Sequence, residues 1–223
     1  MLDRQFGAVL KALEDNNLAD DTLVICTTDH GPGFPEMKCT LTDRGTGVTL
    51  IVRGPRGFRG GKVVDAMAAQ MDLFPTICEL LGLERPDWLQ GESLMPLIRG
   101  EAEQIHEAIF TEQNYHGVPR PQRAVRTARY KYIRRFDQEA RKGIDRGPAQ
   151  EYWEEYGYQE RPVAEEELYD LIFDPNEACN LAGDPAHAGA LDDLRARLRR
   201  WREETEDPLL AGPLPEPPAR RQR

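Results

Sequence analysis

The sequence predicts an α/β fold over its first hundred residues and a smaller α+β part after them, an antiparallel sheet with a terminal helix. Three observations carry this. A helical stretch runs within a few residues into a short apolar strand at 23–26, which is half of a βαβ unit. A second β-branched run follows at 48–52, after a polar loop. Beyond Gly100, three strand-like segments come in succession, and the last long element is a leucine-striped helix.

Taken in order, Leu2, Phe6, Val9, Leu10 and Leu13 recur at helical spacing, with Asp3, Arg4, Lys11 and Glu14 on the other face; Asn16 and Asn17 end the helix. Residues 23–26, Leu-Val-Ile-Cys, are apolar throughout and too short for a helical period, so a strand buried on both faces is expected. The run 48–52 predicts another, with Gly54, Pro55, Gly57, Gly60 and Gly61 forming a loop behind it. Asp72 reads as the cap of a helix carrying Phe74, Ile77, Cys78, Leu80 and Leu81, closed by Gly82, with Pro75 in its first turn and Glu79 facing water. Strands are expected at 105–111, 123–128 and 130–136, then a surface excursion over 137–165, then a strand near Leu168, Tyr169 and Leu171. Leu191, Leu194, Leu198 and Trp201 stripe the final helix; Asp192 and Asp193 lie early and arginines crowd its later face, the order the helix dipole favours. The expected divisions are 1–100, 101–206 and a Pro/Arg-rich tail over 207–223, extended and poorly ordered.

A formal net charge of −10 argues against a general nucleic-acid binder, which needs a basic field. No segment reaches the length of an apolar membrane span, and the start lacks the basic-then-apolar plan of a signal peptide. The expectation is therefore a soluble chain, cytoplasmic as it stands, with its compartment unassigned. Cys26, Cys39, Cys78 and Cys179 are scattered without a C-x-x-C pair and read as reduced or buried thiols.

The chemistry-bearing stretch is TLVICTTDHGPGFPEMK, residues 22–38. Asp29 and His30 stand at the carboxyl end of the first strand, where open α/β sheets place their ligands. A carboxylate beside an imidazole there is either half of a divalent-metal site or a turn in which Asp caps a backbone N–H. Lys38, one loop further on, supplies a point charge suited to an anion. Seven basic residues between Arg120 and Arg135 either alternate into water or face a cleft and attract an anionic substrate. Glu112, Tyr115 and His116 are candidates for its rim. Asp170, Asp174 and Glu177 read as turn residues rather than metal ligands.

The 22–38 stretch, the following CTLTDRGTGVTLIVRGP, the block MDLFPTICELLG, the connector GESLMPLIRG and ELYDLIFDPNEACNLAGDP together resemble the sulfatases of the alkaline-phosphatase superfamily, above all the branch that includes heparan N-sulfatase (sulfamidase). The resemblance covers nearly the whole chain and matches the C-terminal portion of that family. It implies the C-terminal part of a sulfatase-type α/β sandwich, a mixed sheet flanked by helices, followed by the smaller antiparallel subdomain. It implies metal ligands at Asp29 and His30, and a catalytic, sulfate-contacting role for Lys38; Glu112 and His116 are substrate-binding candidates from their place in the TEQNYHG loop alone. Calcium is the usual sulfatase ion, whereas an imidazole suits Mn2+ or Zn2+ better.

The implied reaction is hydrolysis of a sulfate ester or of an N-sulfated amino sugar. In the family a Cys or Ser within C-x-P-x-R becomes formylglycine, whose hydrate attacks sulfur. This sequence has no C-x-P-x-R, and it lacks the family's paired aspartates and upstream Lys and His residues. Formylglycine is thus expected only in an N-terminal part, and the chain alone is expected to be inactive, poorly soluble and weak in binding divalent ions. Its expected partners are a sulfated small molecule or glycan and a separate N-terminal half or a second copy of itself. A phosphoryl-transfer relative of the same superfamily and a non-catalytic remnant or subunit are the alternatives.

Overall fold

A computed structural model describes residues 2–55, 58, 60–116, 118–137 and 147–215. The chain divides into two compact units, Met1–Asp29 with Val48–Glu107, and His30–Gly47 with Ala108–Arg223. The sequence suggested a division near Gly100 and no exchange of the 30–47 segment. In the structure that segment joins the second unit.

In the first unit, α1 (Leu2–Asp15) forms where the spacing predicts, yet none of its residues is buried. β1 (Val24–Thr27) pairs antiparallel with β2 (Leu50–Arg53), Val24 opposite Arg53 and Thr27 opposite Leu50. The expectation of strands buried on both faces is corrected here. β1 is half-buried and β2 alternates half-buried with exposed, because a strand is buried twice only when a layer covers each face. Among the described residues this sheet has two strands.

α3 (Leu73–Leu81) ends on Gly82, whose φ of +66° lets its N–H and that of Leu83 turn back onto Glu79 and Cys78 carbonyls. Asp72 does not cap α3 as expected. Fully buried, its carboxylate accepts the Ala69 N–H at 2.7 Å and the Glu92 N–H at 2.8 Å, and His106 Nε2 lies 2.9 Å from both oxygens. Glu79 is paired rather than merely solvated, 2.7 Å from Arg99 at the end of α4 (Met95–Arg99).

The second unit is built on a four-stranded antiparallel sheet in the order β3 (Ile109–His116), β4 (Val118–Arg126), β5 (Tyr130–Arg135), β6 (Glu166–Asp170). Strand alternation sorts its residues onto two faces. Val125, Tyr132 and Leu168 pack with Leu191, Leu194 and Leu198 of the terminal helix α6 (Ala188–Glu204). Ala124, Ile133 and Tyr169 pack on the opposite face with Leu41. The sheet is therefore a middle layer, with α6 on one side and the 30–47 segment, including the single helical turn α2 (Asp43–Thr46), on the other. The excursion after β5 contains α5 (Pro148–Glu155), and residues 138–146 lie outside those described.

The tail begins differently from the sequence expectation. The Asp207 side chain is buried and bridges Arg123 at 2.8 Å and Arg202 at 2.7 Å, and a 3-10 turn follows at Pro208–Leu210. Residues 216–223 lie outside those described.

Candidate active site

β1 ends at Thr27, and the chain bends at once, because Gly31 must press against α2. A Cβ at Gly31 would lie 1.8 Å from the Arg44 carbonyl oxygen. Gly31 N–H instead donates to the Gly45 carbonyl at 2.9 Å. Asp29 is exposed and closes the first unit, while His30 is half-buried and opens the second. His30 Nδ1 is 2.6 Å from the Gly31 carbonyl oxygen. A carbonyl only accepts, so Nδ1 carries a proton and donates it to Gly31 O. Imidazoles that ligate metals are oriented in this way, with the second nitrogen held by a backbone carbonyl.

Lys38 is half-buried in a loop that folds back on itself, the N–H groups of Phe34 and Lys38 both donating to Pro32 O at 2.8 and 3.1 Å. Glu36 and Cys39, on either side of it, hold φ values of +60° and +67°. Non-glycine residues adopt this region at a cost of about 1–3 kcal/mol, and such strain gathers where a side chain must be aimed.

Among the described residues no group of three or more His, Cys, Asp or Glu side chains gathers to hold a metal. One carboxylate and one imidazole, the donor types of Asp29 and His30, are fewer ligands than a divalent cation takes.

The seven basic residues of 120–135 are neither solvated nor turned to a cleft as a set. At least six are ion-paired: Arg123 with Asp207, Arg126 and Lys131 with Asp43, Arg129 with Asp170, Arg134 with Glu165, and Arg135 with Glu167. Arg120 and Arg135 line a shallow concavity together with Gln122 and Asp137. Burial and the charge of Arg135 push the Arg120 guanidinium below its ordinary value.

Glu112 lies opposite Arg123 on β4, its carboxylate 3.3 Å from that guanidinium. Arg123 shares its face with Val125, the face covered by α6, so Glu112 is across the sheet from the segment bearing Lys38. His116 stands exposed at the end of β3 beside exposed Tyr115. The structure therefore places His30 and Lys38 in one loop and Glu112 on the opposite face of the sheet.

Sequence reasoning missed how that loop is held. Asp43 accepts from Arg126 Nε and Nη2 at 3.0 Å and from Lys131 Nζ at 2.5 Å, and its N–H donates to Glu177 Oε2 at 2.5 Å. Burial pushes the Asp43 carboxyl up, but Arg126 and Lys131 outweigh it and hold it below the usual value. Glu177 goes the other way, raised by burial despite Lys131. The only cue was a glutamate in a turn at 174–177, and turn chemistry does account for Asp174, which accepts the Ala178 and Cys179 N–H groups.

Residues 37–164, more than half of the chain, match the family described as N-sulphoglucosamine sulphohydrolase, C-terminal. The chain belongs to this sulfatase family. It is 32% identical over 242 residues to human N-sulphoglucosamine sulphohydrolase, covering 95% of this chain and 47% of that protein. It is 33% identical over 217 residues to a Delta 4,5-hexuronate-2-O-sulfatase of Bacteroides thetaiotaomicron, covering 93% and 40%. A solved 2-O GAG sulfatase superposes with a TM-score of 0.75 at 30% identity, over 97% of this chain and 44% of that one. The sulfatase chain thus spans less than half the length of these relatives, and its fold is the C-terminal part of theirs.

Proposed function

We propose that the chain is the C-terminal part of a metal-dependent, formylglycine-type sulfatase that removes sulfate from a sulfated sugar, as a sulfuric ester or a sulfamate. The observation that carries this reading is the loop in which His30, with its Nδ1 proton fixed on a carbonyl, and Lys38 follow Asp29 at a strand end, in a chain of this family. Asp29 and His30 would hold a divalent cation, calcium above Mn2+ or Zn2+, that draws charge from the sulfate oxygens. Lys38 would bind a sulfate oxygen with its ammonium, where preorganised positive charge lowers the barrier to attack on an anion. The formylglycine and the remaining ligands would come from the portion of the relatives that this chain does not span.

The same reading names a partner surface. Leu2, Val9 and Ile51 are 67%, 58% and 61% exposed, on a helix with no buried residue and on the exposed positions of β2. We assign these faces to contact with the sulfatase portion that carries the nucleophile. The test is complementation. The chain alone should hydrolyse no sulfate ester or N-sulfated glucosamine, and should do so when mixed with a polypeptide carrying C-x-P-x-R. Lys38→Ala should then lower kcat/KM by about a hundredfold or more, the scale of losing one charge-stabilising group. Full activity of that variant would sink the reading.

A further inference from the structure

The second unit carries a buried charge cluster whose cost is out of proportion to what it adds to stability. Lys131 and the Glu177 side chain are almost wholly buried, Glu177 Oε1 has no hydrogen-bond partner, and Lys131 Nζ stands 3.6 Å from that oxygen. Replacing such a buried pair with apolar residues is often neutral or stabilising, so stability alone does not explain its presence. What the cluster does is fix one atom group. Asp43 is held by its carboxylate from β4 and β5 and by its N–H from the turn after β6, three directions at once.

Asp43 opens α2, and α2 is the floor of the loop. Gly31 N–H rests on Gly45 O beside His30, and Gly45 in turn is so close to the Lys38 side of the loop that a Cβ there would lie 2.3 Å from Thr40 O and 2.5 Å from Met37 O. Thr40 Oγ1 donates to Met37 O at 2.8 Å, and Gln122 on β4 donates to Cys39 O at 3.3 Å. Every step of the path from the sheet to the residues flanking His30 and Lys38 is a hydrogen bond or a contact that admits no side chain.

We infer that Arg126, Lys131 and Glu177 are positioning residues, which clamp Asp43 so that the antiparallel sheet sets the placement of His30 and Lys38. This rests on the reading of His30 and Lys38 as metal and sulfate ligands. The subdomain is on this account a jig for the site as well as a neighbour of it. The Asp43 carboxylate and N–H are each held by named partners, which is what restrains this one residue.

Hydrogen exchange read by mass spectrometry on the full chain tests the clamp. In Lys131→Met, amides of 30–47 should exchange about tenfold faster or more, and the acylation rate of the Lys38 amine should change, while β3, β4, β5 and α6 keep their protection. Lys131→Arg should restore both. Arg126→Gln, which removes the guanidinium grip on the Asp43 carboxylate at a partly exposed position, gives the same comparison if Lys131→Met does not fold. Unchanged exchange in 30–47, or loss of protection spread evenly over the second unit, overturns the inference. Neither readout depends on activity, so a failed clamp leaves the sulfatase reading standing. A fully active Lys38→Ala enzyme with an intact clamp would sink only the site.

Discussion

The two units of this chain close their surfaces by different means. The second has a four-stranded sheet covered on both faces and internal partners for its buried charges. The first has a two-stranded sheet, an amphipathic helix with no buried residue whose Glu14 lies 3.9 Å from Arg53 of β2, and buried Asp72, Cys78, Met95 and Leu97. A two-stranded sheet is marginal by itself in water. The difference separates a part of the chain that covers its own sheet from a part that leaves large apolar side chains exposed. It also places His30 and Lys38 in the part that covers its own sheet, in the 30–47 segment.

The largest expected effect comes from breaking the second unit at its buried ion pair. Asp207→Ala leaves the fully buried Arg123 guanidinium without its bidentate partner, with Glu112 at 3.3 Å still beside it, and should cost about 3 kcal/mol, the low end for breaking a buried ion pair. Denaturant unfolding followed by the fluorescence of Trp201, which stacks on Phe110 inside this unit, measures it. A loss under about 1 kcal/mol would mean that residues beyond Glu206 are the loose tail the composition suggests.

A smaller effect sharpens the comparison through pH. Glu166 is held at about 2, chiefly by Arg195, against burial, with Tyr132 also donating to it. Its folded value lies below the ordinary 4.5, so its stabilisation is present above that value and is lost as pH falls toward 2. Asp43 and Asp207 shift in the same direction and add to the acid sensitivity of the second unit. Arg195→Ala should cost about 1 kcal/mol or less at neutral pH, because the pair is partly exposed, and should move the acid-unfolding midpoint upward. An unmoved midpoint would detach Glu166 from that sensitivity.

The smallest effect is expected in the first unit. Val9→Ser on exposed α1 should change the stability of the chain alone by less than about 0.5 kcal/mol. The same substitution should weaken binding of the complementing sulfatase portion. A cost above about 1 kcal/mol without any partner would mean that α1 is packed within this chain and would erase the contrast.

Much of this was legible in the sequence, and what was not has physical causes. Local period and turn chemistry placed α1, α3 with its Gly82 stop, the strands of the second sheet and the leucine stripe of α6, because those signals are carried by neighbours in sequence. Asp29, His30 and Lys38 were marked by residue type at a strand end. The pairing of Asp43 with Arg126, Lys131 and Glu177 spans up to 134 positions, and no local pattern announces it. The burial of Asp72 and Asp207 was hidden for the same reason: the first reads as a helix cap and the second as the start of a loose tail until their distant partners, His106 and Arg123, are folded beside them. The double burial expected of β1 and β2 failed in the opposite sense. Their composition suits a covered sheet, and the covering layers are not among the described residues.

Native-state hydrogen exchange across the whole chain tests the contrast between the units most directly, because it reads each element without assuming a partner or an activity. The account predicts slow exchange at the global limit for β4, β5 and α6, near-unprotected exchange for α1, and protection of α1 when the nucleophile-bearing sulfatase portion is added. Protection of α1 equal to that of α6 in the chain alone would contradict it.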